Sequence, residues 1–181
     1  AVMTDVAVNY EGYAPEDYDK KFNGYITTEY ALEHSLNIPA VKSLKLLGHD
    51  KLIQKLSLCN FKQVQKDQRK LGLSMILGGC GTTLEELTGL FAAFANNGVY
   101  VATSYLQGDT IRQKKVVISP AANYLLNEIL SKVNRPDFPL NWSATEKMPK
   151  IAWKTGTSDG RRDAWSSGYN KNYAIGIRVG K

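Results

Sequence analysis

Residues 153–158 are Trp-Lys-Thr-Gly-Thr-Ser, and Arg-Asp-Ala-Trp follows at 162–165. The apolar run 151–153 in front of the lysine predicts a β-strand with the Lys-Thr-Gly triplet at its end. Such a strand end supplies an ammonium, two hydroxyls and a bare backbone along one groove edge, from Lys154, Thr155, Thr157 and Gly156. Because Gly156 has no side chain, a ligand backbone can approach closely there. The segment therefore predicts a site that binds a carboxylate and an amide, with acyl transfer as its chemistry.

Two other meanings of the Lys-Thr-Gly triplet are excluded by its context. A phosphate-binding P-loop needs a glycine-rich run that ends in Gly-Lys-Ser/Thr before a helix, whereas Trp153 precedes Lys154 and strand-forming residues flank it. In ion-pumping ATPases, Lys-Thr-Gly-Thr follows a phosphorylated aspartate, and here the preceding residue is again tryptophan. On this segment alone, an exposed lysine in a turn at a sheet edge remains an open alternative.

A second polar pair, Ser35 and Asn37, lies far upstream at a joint between two predicted helices. Residues 28–34 predict a helix that ends before Ser35, and residues 38–42 begin another with Pro39 in its first turn. In such a turn Ser35 and Asn37 can point into one cleft, whereas in a continuous helix they would face different directions. Simple helix capping is the alternative. The downstream Lys-Thr-Gly strand favours the cleft.

Five segments, in this order, carry a resemblance to a known family. Residues 9–19 resemble the pattern Gly-Tyr-x-Pro-Glu-Asn-Tyr-Asp, and residues 31–41 resemble Ala-Leu-x-x-Ser-Leu-Asn-x-Pro-Ala-Val. Residues 77–87 contain the family's Leu-Gly-Gly turn into a helix, and residues 95–100 contain its Ala-Asn-x-Gly exit. Together with residues 153–165, they make the chain similar to the later part of the transpeptidase domain of class A penicillin-binding proteins, most like the 1C type.

The resemblance implies an α+β fold, with helices plus an antiparallel sheet, that is a fragment of the penicillin-binding and serine β-lactamase-like transpeptidase fold. Residues 1–181 would form one partial transpeptidase domain. The family mechanism needs three motifs: Ser-x-x-Lys, Ser-x-Asn and Lys-Thr/Ser-Gly. No serine of this sequence is followed three residues later by lysine. We therefore expect a chain that begins after the nucleophile and is inactive alone, because acyl transfer needs an activated serine.

The resemblance also implies roles for individual residues. The candidate catalytic residues are Ser35, Asn37 and Lys154, and the candidate substrate-binding residues are Thr155, Gly156 and Thr157. Ser35 would pass a proton to the leaving amine, and Asn37 would contact the substrate's amide side chain. Lys154 would raise the local positive potential and, with the two threonines, hold the carboxylate. The backbone N–H of Thr157 would complete the oxyanion hole.

The function implied for the intact protein is that of a peptidoglycan D,D-transpeptidase. It would bind D-Ala-D-Ala stem peptides and β-lactams through an acyl-serine mechanism. A non-catalytic module of the same fold, which binds peptidoglycan or a partner in the same groove, is the alternative. A β-lactamase or β-lactam sensor is less favoured, because Arg-Asp-Ala-Trp at 162–165 resembles the class A transpeptidases.

The remaining segments predict scaffold. A capping box at 83–86 opens a helix that ends at Asn97-Gly98, and its apolar residues recur at helical spacing, which predicts a buried core helix. Those apolar residues are Leu84, Leu87, Leu90, Phe91 and Phe94. Further elements are predicted as strands at 99–101, 115–118, 164–168 and 173–179, a Ser119-capped helix from Pro120 to Leu130, and a loop at 134–150.

The charge pattern argues against a nucleic-acid partner, and the resemblance implies where the whole protein is located. The net charge is +6, with lysine and arginine scattered along the chain and no recognised nucleic-acid motif, so we expect no nucleic-acid partner. No signal or membrane-spanning segment is present. The family lies outside the cytoplasmic membrane on an N-terminal anchor, so the resemblance implies a periplasmic or extracytoplasmic location. Loss of the nucleophile helix would uncover an apolar face, which predicts a fragment dimer or local disorder.

Predictions also follow for the two cysteines, for the two histidines and for the residues after the Lys-Thr-Gly strand. Cys59 and Cys80 are expected as free, buried thiols, although a disulfide between them stays open. No cofactor or metal is expected, because His34 and the other histidine lack companion ligands, and His34 is expected at the surface. Arg162 and Asp163 are expected to brace the turn that follows the strand.

Overall fold

The computed structural model describes residues 1–106, 113–133, 150–158, 160 and 162–180. Its helices are α1 Thr28–Glu33, α2 Asn37–Leu47, α3 His49–Leu58, α4 Lys62–Asp67, α5 Leu84–Ala95 and α6 Pro120–Lys132, with a 3-10 helix at Leu73–Leu77. Its strands are β1 Val2–Asp5, β2 Gly24–Thr27, β3 Val99–Val101, β4 Lys114–Val116, β5 Ala152–Thr157, β6 Asp163–Tyr169 and β7 Ala174–Gly180. Helices combined with antiparallel sheets confirm the predicted α+β class.

The sheet β5-β6-β7 confirms the predicted antiparallel sheet near the end of the sequence. Each strand is antiparallel to the next, with Lys154 opposite Ser167 and Trp165 opposite Arg178. The Lys-Thr-Gly triplet was predicted at the end of the strand, and it lies inside β5, because the strand continues to Thr157. Within the described residues β5 is an edge strand of this sheet, so one side of its backbone is open.

Helices α5 and α6 cover one face of this sheet. The ring of Tyr169 lies 5.9 Å from the ring of Phe91 and 6.3 Å from that of Phe94. At Gly176 of β7 a Cβ would overlap the hydroxyl of Thr88, so glycine allows α5 to lie close against the strand. This packing fixes the sheet, and with it the strand that carries Lys154.

Helix α5 begins as predicted but is less buried than expected. The capping box is present: Glu86 N–H donates to Thr83 Oγ1 at 3.1 Å, and Thr83 N–H donates to Glu86 Oε2 at 2.9 Å. Ala93 is buried, whereas Leu84 is 39% exposed and the other apolar residues are half-buried. The expectation of a buried core helix is wrong in degree, because helical spacing predicts which side is apolar but not how completely neighbours cover it.

A separate apolar cluster holds α2. Ile38 and Val41 are fully buried, and Leu44 packs into a cluster that draws on α3, α4 and β3. The cluster also contains the buried residues Ile53, Cys59, Phe61, Val64 and Tyr100. Each large apolar side chain buried in this way contributes about 1.5–3 kcal/mol relative to exposure. The start of α2, where Asn37 lies, is therefore anchored.

The remaining expectations are met with shifted bounds. Ser119 caps α6 by accepting the N–H of Ala122 at 3.3 Å, and the helix runs two residues further than predicted. Strand β4 is one residue early and shorter than predicted. The predicted loop at 134–150 lies outside the described residues except at its last position. In the described parts of the chain, no helix has the length and apolar character needed to cross a membrane.

Both cysteines are free thiols, as expected. Cys59 is buried and Cys80 is half-buried, so the expected burial holds fully for Cys59 alone of the two. Burial raises the pKa of the Cys59 thiol to about 11 and also raises that of Cys80. Neither thiol is therefore a thiolate near neutral pH.

Candidate active site

The α1–α2 turn and strand β5 meet at one point. The Nζ of Lys154 donates a hydrogen bond to the Oγ of Ser35 and another, of 3.1 Å, to the carbonyl oxygen of Thr155. The structure thus brings two of the predicted catalytic residues into direct contact from positions 119 residues apart. Asn37 stands two residues from Ser35, at the first turn of α2.

Ser35 occupies a conformation that L-residues rarely adopt. Its φ is +55°, in the left-handed region. Leu36 N–H donates to Ala31 O at 3.0 Å and Ser35 N–H donates to Leu32 O at 3.3 Å, which is the Schellman pattern that closes a helix. Glycine is the usual residue at this position because it carries no Cβ. A serine there accepts a conformational cost, typically 1–3 kcal/mol, of the kind that collects at functional sites.

Asn37 is held by two residues of the segment before β2. Its side-chain amide nitrogen donates to the Glu16 carbonyl oxygen at 2.7 Å, and its backbone N–H donates to Asp17 Oδ1. Asp17 Oδ1 also accepts the N–H of Ile38 at 3.2 Å. One N–H of the side-chain amide is thus used within the protein, and the amide oxygen is the atom of Asn37 suited to accept an N–H from a substrate.

The alternation of β5 decides where the other site residues point. Side chains at 154 and 156 lie on one face, while Thr155 and Thr157 share the opposite face. Ser158 N–H donates to Asp163 O at 3.0 Å, so the alternate positions 156 and 154 also bond to β6. The N–H groups of Thr155 and Thr157 consequently point to the open edge. A ligand lying along that edge would be reached from both faces of the strand.

Lys154 is a partly desolvated cation. Burial lowers the pKa of its ammonium group, so it gives up a proton more readily than an exposed lysine. Within the described residues no carboxylate forms an ion pair with it. A positive charge placed in this way favours an incoming carboxylate over a neutral group.

Gly156 is open on the side where a Cβ would stand. No heavy atom outside its chain neighbours lies within 4 Å of that position in the described structure. Packing within the described residues therefore gives no reason for glycine there. The backbone of the strand is therefore accessible to close approach by a ligand at this position.

The turn after β5 is braced by Asp163, as expected, but its main partner is a residue that the sequence did not indicate. Asp163 N–H donates to Ser158 Oγ at 2.9 Å, and Asp163 Oδ1 accepts from Arg178 Nε at 2.9 Å and Nη2 at 2.7 Å. The hydrogen bonds from Arg178 hold the pKa of Asp163 below its ordinary value. The guanidinium also lies 5.6 Å from the ring of Trp165. Arg162 is exposed.

His34 is exposed, as expected, and turns toward α1. Its ring stacks on Tyr30 with 3.9 Å between centroids, and its Nδ1 lies 3.0 Å from the Tyr30 carbonyl oxygen. Elsewhere in the described residues, no group of three histidine, cysteine, aspartate or glutamate side chains is arranged to hold a metal ion.

Among curated relatives, the chain is 34% identical to penicillin-binding protein 1C of Escherichia coli over all of its own length and 23% of that protein. It is 29% identical to penicillin-binding protein 4 of Bacillus subtilis over 93% of the chain and 28% of that protein. The chain thus spans about a quarter of the relatives it matches.

Solved structures share the fold. Penicillin-binding protein 1A from Haemophilus influenzae superposes with a TM-score of 0.77 at 19% identity, over 99% of this chain and 34% of that one. PonA1 from Mycobacterium tuberculosis superposes with a TM-score of 0.78 at 16% identity, over 100% and 55%. The family model for the penicillin binding protein transpeptidase domain matches residues 3–180 of this chain. The resemblance expected from the motifs is thereby confirmed, and the chain belongs to the penicillin-binding protein transpeptidase family.

Proposed function

We propose that the whole protein is a peptidoglycan D,D-transpeptidase that forms an acyl-serine intermediate, and that residues 1–181 are part of its transpeptidase domain. The observation that carries the proposal is the contact between Lys154 and Ser35. This contact puts two groups that can pass on a proton beside a strand edge along which a peptide can bind. A reaction at a peptide carbonyl uses both a bound peptide and a proton donor. A relative of the same fold, PonA1, has been solved in complex with penicillin V, at 18% identity to this chain.

The D-Ala-D-Ala stem peptide would lie along the open edge of β5. Its terminal carboxylate would be held by the charge of Lys154 and the hydroxyls of Thr155 and Thr157, and the absent side chain of Gly156 would let the backbones approach. The N–H of Thr157 would donate to the carbonyl oxygen as it becomes negative, an interaction worth about 3 kcal/mol in related chemistry. Asn37 would contact the amide side chain of the substrate.

The acyl-transfer step needs a serine that these 181 residues do not supply in a Ser-x-x-Lys motif. That serine oxygen would give its proton to the neighbouring base of the motif and attack the carbonyl carbon, the peptide C–N bond would break, and D-alanine would leave. The leaving amine would take a proton from Ser35 Oγ, and Lys154 Nζ would replace it through the hydrogen bond between them. β-Lactams would react at the same serine by opening their ring amide.

Intact-mass labelling with a fluorescent penicillin tests the proposal on the whole protein and on the 181-residue chain in parallel. A single covalent adduct on the whole protein alone is the expected result. Labelling of neither form would favour a non-catalytic module that binds peptidoglycan or a partner in the groove. Labelling of the 181-residue chain would overturn the proposal that its serines lack the nucleophile.

The proposal extends to location and assembly. We propose that the whole protein works on the periplasmic or extracytoplasmic side of the inner membrane on an anchor of its own. Self-association of the 181-residue chain is supported by the outer face of β7, where Ile175, Ile177 and Val179 are more than half exposed beside a shallow groove. Light scattering that gives a monomer across micromolar concentrations would contradict the dimer.

A further inference from the structure

Two buried aspartates lie behind the Ser35–Asn37 turn. Asp5 ends β1 and is fully buried, and Asp17 lies in the segment before β2 with 4% of its surface exposed. Both carboxyl groups are enclosed by protein near the start of α2. Buried carboxyl groups are costly unless they are paired or hydrogen-bonded, so their partners indicate what they do.

Asp17 replaces a missing cap on α2. Leu36 precedes the helix and has no side-chain group that can accept its first N–H donors. Asp17 Oδ1 accepts those N–H groups from Asn37 and Ile38, although it lies 20 and 21 residues away. Because Glu16 O also accepts from the Asn37 side chain, both the backbone and the amide of Asn37 are held by this segment. The position of Asn37 therefore depends on the position of Asp17.

Asp5 is the second carboxyl group of the pair, and it interacts with Asp17. Asp5 Oδ2 accepts two hydrogen bonds from Asn23, of 2.8 Å from its N–H and 2.7 Å from its side chain. In the described residues, no N–H or O–H donor reaches the remaining oxygens, Asp5 Oδ1 and Asp17 Oδ2. Each buried carboxyl group thus has one oxygen that is unsatisfied within the described structure, and each group shifts the pKa of the other. A proton held between those two oxygens would satisfy both of them, because one oxygen would then donate and the other accept.

We propose that Asp5 and Asp17 share one proton, and that Asp17, fixed by this pair, is the positioning residue for Asn37 and the adjoining Ser35 turn. The proposal rests on the proposed function for its consequence in catalysis, but the shared proton is a property of the fold itself. An asparagine at position 17 would donate its own amide N–H to Asp5, so that bond would not depend on a titrating proton.

The pair has a defined dependence on pH. Burial and the interaction with the carboxyl group of Asp5 raise the pKa of Asp17. Burial also pushes the pKa of Asp5 upward, but hydrogen bonds from Asn23, the interaction with Asp17 and the charge of Lys42 on α2 outweigh it and leave that pKa lowered. The stabilising effect of Asp17 is therefore lost as pH rises through its raised pKa, and that of Asp5 is lost as pH falls through its lowered pKa. The turn is held best between the two values.

The shared proton is tested in the 181-residue chain by carbon-13 NMR of the aspartate carboxyl groups during a pH titration. In the wild-type chain we expect Asp17 to titrate above, and Asp5 below, an ordinary aspartate. In Asp5→Asn, whose amide donates to Asp17 at every pH, the pKa of Asp17 should fall. Two independent, ordinary titrations in the wild-type chain would overturn the shared proton.

Hydrogen exchange tests the positioning role in the same chain. Asp17→Ala should accelerate exchange at the Asn37 and Ile38 amides about tenfold, the usual scale for loss of a helix cap, while the capped amide of Glu86 serves as an unchanged internal control. Asp17→Asn should keep both amides protected, and their protection factors should not fall as pH rises through the raised pKa of the wild-type Asp17. Asn37 and Ile38 amides that exchange equally fast in Asp17→Asn and Asp17→Ala would overturn the proposal.

Stem-peptide affinity of the whole protein separates this proposal from the proposed function. We expect Asp17→Ala to weaken binding and Asp17→Asn to restore it. If wild-type protein binds no stem peptide, the proposed function fails, while the titration and exchange results still decide whether the pair holds the turn. If the peptide binds wild type and Asp17→Ala equally, the positioning role is wrong and the proposed function stands.

Discussion

The ammonium group of Lys154 on β5 donates a hydrogen bond to the hydroxyl of Ser35 in the α1–α2 turn. One partner is fixed by the sheet and by the helices packed on it, and the other by a helix end with an unfavourable backbone conformation. Two rigid elements therefore converge on one polar contact, which is how a precise site is built on a scaffold.

Replacement of Ser35 by glycine should separate stability from activity. Ser35→Gly relieves the left-handed strain, so we expect the free energy of unfolding to stay equal or rise by about 1 kcal/mol, while penicillin acylation of the whole protein is lost. Urea unfolding and adduct formation measure the two effects. Asn97→Gly, at another exposed residue with a φ of +53°, is the control that should gain stability and keep activity. Full acylation by Ser35→Gly would remove the hydroxyl from the mechanism.

Two glycines of the terminal sheet should respond oppositely to alanine. Gly156→Ala places its Cβ in open space, so we expect unchanged stability together with loss of β-lactam binding to the whole protein. Gly176→Ala overlaps Thr88, and we expect a loss of about 1–3 kcal/mol in the free energy of unfolding. Denaturant unfolding of both variants makes the comparison. Strong destabilisation by Gly156→Ala would show that the glycine serves packing instead of a ligand.

Glu86 should stabilise the fold in a pH-dependent way. Its carboxylate accepts N–H bonds from Thr83 at 2.9 Å and Lys62 at 2.9 Å, so Glu86→Ala should cost about 1–2 kcal/mol. Burial opposes ionisation of Glu86, but these bonds outweigh it and lower its pKa. The stabilisation is therefore present above the ordinary glutamate pKa and is lost as pH falls through the lowered value. Thermal unfolding between pH 3 and 7 measures it, with Glu85→Ala in the same turn as the control. If the stability of Glu86→Ala and that of Glu85→Ala depended on pH in the same way, the pH-dependent stabilisation could not be assigned to Glu86.

The thiols should differ in reactivity under native conditions. Cys59 is buried with its pKa raised to about 11, and Cys80 is half-buried. We expect a thiol reagent to modify Cys80 first, and Cys59 only as the chain unfolds. Mass spectrometry during labelling, repeated in urea, distinguishes the two. Immediate labelling of both sites in buffer would contradict the buried position of Cys59.

Local signals account for what could be predicted from the sequence. The capping box at Thr83 and the serine cap at Ser119 depend on residues within one helical turn, and both are present. The apolar run at 151–153 that predicted the strand before Lys154 is equally local. The convergence of Ser35 on Lys154 was reached through resemblance to a family, because no local pattern links positions so far apart.

Contacts that arise only on folding account for what was missed. Asp17 caps a helix 20 residues away, and Arg178 reaches Asp163 across a strand pair. Neither has a spacing that local rules recognise. The exposure of Leu84 was missed for a related reason, since burial depends on which elements cover a helix. Asp17 and Arg178 hold residues next to the site in position, and these contacts are visible only in the folded structure.

The rate of acylation of the whole protein by a fluorescent penicillin, compared between Lys154→Ala and Lys132→Ala, tests the central claim most directly. Lys132 is the control, because it is an exposed lysine that pairs with Glu29 at 3.0 Å. Loss of a charged hydrogen bond of about 1.5–3 kcal/mol predicts acylation roughly 10- to 150-fold slower in Lys154→Ala and unchanged in Lys132→Ala. Acylation of Lys154→Ala at the wild-type rate would contradict the account.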